Sequence, residues 1–144
     1  MKQTWKGRST GTYEAVKAEG KRMRPHEKLD VWKRSIDLVV SIYKATEVFP
    51  THERYGLTSQ IRRAAVSIPA NVAEGAARQS SKEFAHFLSN AQGSASELET
   101  ELLIAQRLGY LGSGGYAEIR DELDTVGRML VGLARNVRRN FASR

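Results

Sequence analysis

The sequence of 144 residues contains no cysteine and only three prolines. The lack of cysteine excludes disulfide bonds and thiolate metal sites, and it fits a reducing cytoplasmic compartment. No apolar run approaches the roughly 20 residues that a membrane-spanning helix needs, and the first residues lack the apolar segment of a signal peptide. These absences predict a cytoplasmic protein without a membrane partner. A chain of this length is expected to form one domain with one core.

Acidic residues are fewer than basic ones, since 16 Asp and Glu stand against 23 Lys and Arg and give a net charge of +7. Such an excess favours an anionic partner such as RNA or DNA. Much of it lies in residues 1–25, which are rich in Gly, Ser and Thr and show no apolar periodicity. This segment is predicted to be a flexible basic arm. Its possible phosphate-contacting residues are Lys2, Lys6, Arg8, Lys17, Lys21, Arg22 and Arg24.

Two interpretations of the basic arm remain open. Trp5 and Tyr13 interleave with the cations, which would let the arm stack on the bases of a single strand. Alternatively, the arm is an unstructured extension without a role, and Met23 is the true start of the protein.

Apolar residues spaced three and four apart predict four amphipathic helices. The first extends from Leu29 toward Phe49, the second over about residues 54–77, the third from Ser80 to about 109 and the fourth over 116–137. Ser80 with Glu83 has the spacing of a capping box, and the glycine-rich segment 112–115 predicts a helix C-cap and turn. Short connections between four such helices predict an all-α fold, an antiparallel up-and-down left-handed four-helix bundle over residues 26–144.

The apolar residues exceed what one core can bury. Leu102, Leu103 and Ile104 are consecutive and point in three different directions from a helix, so contact with a single core cannot bury all three. The buried face predicted for the first helix is Leu29, Trp32, Ile36, Val39 and Tyr43, while the residues left outside the predicted faces are Val31, Val40, Ile42, Phe87, Met129 and Val131. This surplus predicts a subunit interface and therefore a homo-oligomer.

Pro69 stands inside the second predicted helix. It has no N–H to bond the carbonyl of Ala65, so the helix is expected to kink or restart there, with Asn71 satisfying the released carbonyl. Arginines of the second helix are expected to pair with glutamates of the third and so fix the register. The residues of this polar motif are Arg62, Arg63, Pro69, Asn71, Glu74, Glu97, Glu99 and Glu101. A ligand site lined by Arg62, Arg63, Asn71 and Glu74 is the alternative.

The segment "YGLTSQIRRAAVSIPANVAEG" at 55–75, followed by "SSKEFAHFLSNAQGSASELETEL" at 80–102, resembles the bacterial family of 23S ribosomal RNA intervening-sequence proteins. The segment 28–46 is similar to that family's opening helix. The resemblance implies a small cytoplasmic helical bundle without established catalytic activity. It also implies a homopentamer as the first expectation, because some relatives are pentamers, and distant relatives partner a reverse transcriptase and nucleic acid. The basic arm departs from the family's pattern.

Motifs of catalysis and metal binding are weak in this sequence. Glu83 and His86 have the spacing of a di-iron ligand pair, but such bundles need two pairs, and Glu83 is also expected to serve the capping box. The segment 112–115 lacks the Gly-Lys-Ser/Thr ending of a phosphate loop, and no serine lies in a nucleophile elbow. The sequence therefore predicts a protein that is not an enzyme and has no cofactor or metal.

Arginines also cluster near the C-terminus, at Arg135, Arg138 and Arg139. Cations at the end of a helix complement its dipole, but the same residues could form a phosphate-contacting patch together with the basic arm. Two function classes remain. One is an accessory protein that binds RNA or DNA phosphates, and the other is a scaffold that binds another protein.

Overall fold

The computed structural model describes residues 22–142. Within them lie four α-helices, namely α1 (Asp30–Thr46), α2 (Leu57–Ala76), α3 (Ser81–Arg107) and α4 (Ser113–Ala142). Short 3₁₀ turns occur at Pro25–Lys28 and at Thr51–Glu53, and these 121 residues form no β-strand. The basic residues predicted in the arm at positions 2, 6, 8, 17 and 21 lie outside the described residues.

The four helices pack in a ring. Each helix contacts the one before and after it in sequence, and α4 returns to α1. The Ser67 and Ser94 hydroxyls lie 2.8 Å apart and join α2 to α3, while the Ser41 hydroxyl donates to the Glu122 carboxylate at 3.2 Å and joins α1 to α4. Because the connections are short, successive helices run antiparallel. The predicted all-α four-helix bundle is confirmed.

The helix ends show which of the predicted signals operate. The Ser80 hydroxyl accepts a hydrogen bond from the amide of Glu83 at 3.1 Å, so the predicted N-cap of α3 is confirmed. The predicted C-cap is wrong, because Gly109 rather than the segment 112–115 ends α3. Gly109 has φ +79°, and the amide of Tyr110 bonds the Ala105 carbonyl at 2.9 Å in a Schellman arrangement. The segment 112–115 already belongs to the start of α4.

The core is one apolar cluster to which all four helices contribute. Its fully buried side chains include Leu38, Ile61, Ile68, Leu88, Leu98, Leu102, Val126 and Leu130. Gly75 lets α2 approach α3 closely, because a Cβ there would lie 2.8 Å from Cβ of Phe87 and 2.9 Å from Cδ1 of Phe84. None of the helices in the described part of the chain is long and apolar enough to cross a membrane.

The buried face predicted for α1 is wrong by about one residue. The face that α1 buries is Val31, Ser35, Leu38, Ile42 and Thr46. Ile36 and Tyr43 are exposed, while Leu29, Trp32 and Val39 are half-buried against the core. Val31 and Ile42 are therefore core residues and not surplus ones.

Pro69 is buried within an α2 that continues to Ala76 without a restart. The amide of Asn71 donates to the carbonyl oxygen of Ser67 at 2.8 Å and to its hydroxyl at 2.9 Å. The expectation that Asn71 would bond the carbonyl of Ala65 is wrong. The Asn71 side chain reaches the carbonyl four residues earlier, at Ser67, and Ala65 is six residues earlier. Asn71 and Ser67 instead form a polar bridge to Ser94 of α3.

Candidate functional site

The predicted ion pairs between α2 arginines and α3 glutamates are wrong for Arg62. Its Nε donates to the Thr46 hydroxyl at 2.9 Å, and one terminal nitrogen donates to the Tyr43 carbonyl at 3.3 Å. Arg62 therefore faces α1 and not α3. Arg63 is exposed and forms no ion pair with the described residues.

The glutamates of the predicted polar motif have other partners. Glu74 of α2 binds Arg78, which lies just after the end of this helix, at 3.1 Å, and Glu99 binds Arg120 of α4 at 3.5 Å. Glu101 is buried and interacts with Glu97 one turn earlier on the same helix. Burial, with the charge of Glu97 and a hydrogen bond to it, raises the pKa of Glu101 to about 7.

Three arginines converge on one groove between the end of α1 and the start of α2. We call this the arginine groove. It has a volume of about 470 Å³, and the residues that give it its chemistry are Tyr43, Thr46, Glu47, Arg54, Tyr55, Thr58, Arg62 and Arg63. Thr58 and Arg62 are four residues apart and therefore lie on one side of α2, while Arg54 lines the same groove from the turn before this helix. Three cations against the single carboxylate of Glu47 make the groove attractive to an anion.

Arg62 is held in place by neutral groups. Besides its bonds to α1, its guanidinium carbon lies 4.5 Å from the centre of the Tyr43 ring, a cation–π contact. The Thr46 hydroxyl that accepts from Arg62 donates to the Ile42 carbonyl at 2.8 Å, so its own position is fixed. Arg62 is thus oriented without a carboxylate that would neutralise it.

The first turn of α2 adds polar groups to the arginine groove. The amide of Leu57 donates to Glu53 Oε1 at 3.1 Å, and the hydroxyl of Tyr110 donates to Glu53 Oε2 at 2.9 Å. These two bonds lower the pKa of Glu53, whose carboxylate is not part of the groove lining. Thr58 and Ser59 follow in the lining, and the first amides of a helix have no acceptor within it. The Thr58 hydroxyl oxygen is buried without a hydrogen-bond partner among the described residues.

Two other surface grooves suit an anion less well. One of about 410 Å³ lies between α3 and α4, where Glu99 and Asp124 outnumber Arg128. The other, of about 440 Å³, contains Arg78 and Lys82, but Arg78 is bound to Glu74 and lies over the Phe87 ring at 4.8 Å. Of these three grooves, the arginine groove is therefore the one whose charge best suits an anion.

Those predicted phosphate contacts that belong to the described residues lie at the opposite end of the bundle from the arginine groove. Arg135, Arg138 and Arg139 are exposed on the last turns of α4, and Arg22 and Arg24 are exposed just before α1. The Ser41–Glu122 bond sets the register of α1 and α4, so Arg24 lies near the level of Arg139. At 1.5 Å per helical residue, Arg135 lies roughly 25 Å along the bundle axis from the arginine groove. The structure thus gathers these five arginines at one end and places Arg62 and Arg63 at the other.

The arginine groove was only partly predicted from the sequence. Arg62 and Arg63 belong to it, whereas Asn71 binds Ser67 and Glu74 is exposed beside Arg78. The four-residue spacing of Thr58 and Arg62, together with the nearby Arg54, is a signal that could have indicated it. Residues 22–140 contain no group of three or more side chains that could hold a metal ion.

Comparison with known proteins places the chain in context. The family model described as 23S rRNA-intervening sequence protein matches residues 27–132. Among solved structures, the chain is similar to a protein of unknown function from the S23 ribosomal protein family of Bacteroides thetaiotaomicron, with 27% identity and a TM-score of 0.64. The match covers 72% of this chain and 97% of that one. No curated protein matches the chain.

Proposed function

This chain belongs to the 23S rRNA-intervening sequence protein family, and we propose that it is a non-enzymatic accessory protein that binds RNA or DNA through backbone phosphates. The observation that carries the proposal is the convergence of Arg54, Arg62 and Arg63 on one groove. No carboxylate of residues 22–140 lies within 4.0 Å of these guanidinium groups. Their charge is therefore available to a polyanion.

The chemistry of the arginine groove suits a phosphate better than a planar or apolar ligand. Guanidinium groups bind phosphate oxygens through two parallel N–H donors, and the positive end of a helix dipole at the start of α2 favours negative charge. Phosphate contacts carry no sequence information, so the proposal is for backbone binding and not for base recognition.

Filter binding of RNA and DNA to the full chain over a salt series tests this function. Phosphate contacts release counterions, so affinity is expected to fall steeply between about 50 and 200 mM salt, with a slope of roughly 0.7 to 0.9 per phosphate neutralised. Absence of binding to both RNA and DNA at about 50 mM salt would reject the proposal and leave the protein-binding scaffold.

A specific observation also favours self-association. Ile36, Val40 and Tyr43 share one face of α1 and are 38%, 47% and 41% exposed. We call this face the α1 apolar stripe. Val131, Leu103 and Ile104 are exposed on other helices, as the predicted surplus requires. We propose that the α1 apolar stripe binds a second copy of the chain, with a pentamer as the first expectation from the family resemblance.

A further inference from the structure

We propose that the arginine groove is a site for single-stranded nucleic acid, in which the three arginines hold a phosphate while Tyr55 stacks on an adjacent base. This inference rests on the proposed function and deepens it. It names the strand form that the groove takes and the side chain that selects it.

Tyr55 is the most exposed large hydrophobic side chain among the described residues. It is 91% exposed at the rim of the arginine groove and follows Arg54 directly. A ring in this position adds little to the core, and its faces are open to solvent. An aromatic face beside a cationic groove is the arrangement by which proteins stack unpaired bases.

The phosphate part of the site is prepared before a ligand arrives. Arg62 is fixed by Thr46 and by the Tyr43 carbonyl, using two of its five N–H donors. Arg54 and Arg63 flank it in the lining and form no ion pair with the described residues. A phosphate can therefore replace water at three guanidinium groups without breaking an existing salt bridge.

The Thr58 hydroxyl is a second observation that fits a ligand in the arginine groove. Thr58 is only 7% exposed, it lines the arginine groove, and its hydroxyl has no partner among the described residues. A buried polar group without a hydrogen bond destabilises a protein, so such groups are uncommon and each one needs an explanation. The χ1 of a helical threonine has two favourable rotamers, so in this proposal the hydroxyl turns from its buried position toward the phosphate.

Stacking on Tyr55 selects single strands over duplexes. The bases of a duplex are stacked on one another and paired, so their faces are closed to a side chain. In a single strand a base can leave its neighbours and lie on the tyrosine ring. The three arginines bind the backbone of either form.

Fluorescence anisotropy of the full chain with a labelled oligo(U) and with a duplex of the same length tests the inference. Stacking is worth about 1–3 kcal/mol per base, so Tyr55→Ala is expected to weaken single-strand binding roughly 5- to 140-fold and duplex binding less than about 2-fold. Tyr55→Phe keeps the ring and should bind like the wild type. Val48→Ala removes another exposed apolar side chain outside the groove and serves as the matched control.

Thr58→Val separates a ligand role from a structural one. Valine keeps the shape of threonine and removes a hydroxyl that has no partner, so the melting temperature should be equal to or higher than that of the wild type. Affinity for the single strand should nevertheless fall about 2- to 10-fold, because valine cannot make the hydrogen bond to the phosphate. Higher stability combined with weaker binding supports the site, and unchanged affinity overturns the role of Thr58.

The possible failures are distinguishable. In one case the wild type binds nucleic acid while Tyr55→Ala weakens single-strand and duplex binding equally, or leaves both unchanged. Either result rejects the single-strand site but leaves the proposed function standing. If the wild type binds neither form at about 50 mM salt, the proposed function fails and the inference with it.

Discussion

Glu101→Gln is expected to stabilise the protein at pH 8 and to change its stability little at pH 4.5. Glu101 lies one turn from the buried residues Leu98 and Ala105 and is only 6% exposed. One carboxylate oxygen has no hydrogen-bond partner among the described residues. Burial in the first place, and then Glu97, raises the pKa of this carboxyl from 4.5 to about 7.

The magnitude follows from the difference in proton affinity between the folded and unfolded chain. Between pH 4.5 and 7 the folded protein keeps a proton that the unfolded chain has released. The contribution of protonated Glu101 to stability is therefore full below pH 4.5, is lost as the pH rises to about 7, and stays lost above it. At about 1.4 kcal/mol per pH unit the loss reaches at most about 3 kcal/mol, and partial screening by solvent lowers the expected value to about 1–3 kcal/mol. Glutamine has no charge and avoids this loss.

Urea unfolding followed by circular dichroism at pH 4.5 and pH 8 measures the effect. Glu99→Gln is the matched control, because Glu99 lies two residues away, is half-exposed and pairs with Arg120. It is expected to change stability by less than about 1 kcal/mol at both pH values, in the destabilising direction. A Glu101→Gln variant that is less stable than the wild type at pH 8, or whose effect is the same at both pH values, would refute the reasoning.

Three further predictions concern packing, self-association and the arm. Gly75→Ala should destabilise the bundle by about 1–3 kcal/mol in urea unfolding, because its Cβ would meet α3. Gly93→Ala is the control and should stabilise the bundle by about 0.5–1 kcal/mol, because no atom lies within 4 Å of its Cβ. Equal effects of the two substitutions would contradict the close packing of α2 against α3. Ile36→Ser with Val40→Ser should lower the sedimentation coefficient at micromolar concentration, and a wild type that is already a monomer would reject the α1 apolar stripe as an interface. Deleting residues 1–22 should weaken RNA binding and flatten its salt dependence, since six cations and two anions leave; an unchanged slope would show that the arm is dispensable.

The bundle could be predicted because periodicity and capping are local properties of the sequence. Ser80 and Glu83 are three residues apart, so the hydrogen bond between them needs no knowledge of the rest of the chain. The number and order of the helices likewise follow from apolar residues that recur every three or four positions.

The buried face of α1 could not be predicted because polar residues lie within it. Ser35 donates to the Trp32 carbonyl and Thr46 to the Ile42 carbonyl, each at 2.8 Å, so both hydroxyls are satisfied by their own helix. They can therefore enter the core at little cost. In the sequence, Ser35 and Thr46 make the buried face of α1 resemble a solvent-exposed face. The neighbouring face with Ile36 and Tyr43 contains more apolar residues, so the sequence favours that face as the buried one.

The partners of Arg62 could not be predicted for a related reason. Whether an arginine on α2 meets α1 or α3 depends on the rotation of α2 about its axis, which packing of the whole core decides. Arg62 lies on the α1 side, while Ser67 and Asn71 lie on the α3 side. A prediction based on opposite charges alone paired the α2 arginines with the α3 glutamates and missed the neutral groups that hold Arg62.

The most direct test of the arginine groove compares the salt dependence of RNA binding by three forms of the full chain. These are the wild type, Arg54→Ala with Arg63→Ala, and the matched control Arg34→Ala with Arg107→Ala, which removes the same charge from exposed positions outside the groove. The groove variant is expected to bind more weakly and to lose roughly 1.4 to 1.8 from the slope of log affinity against log salt, while the control keeps the wild-type slope. Equal slopes for the groove variant and the wild type would contradict phosphate binding in the arginine groove.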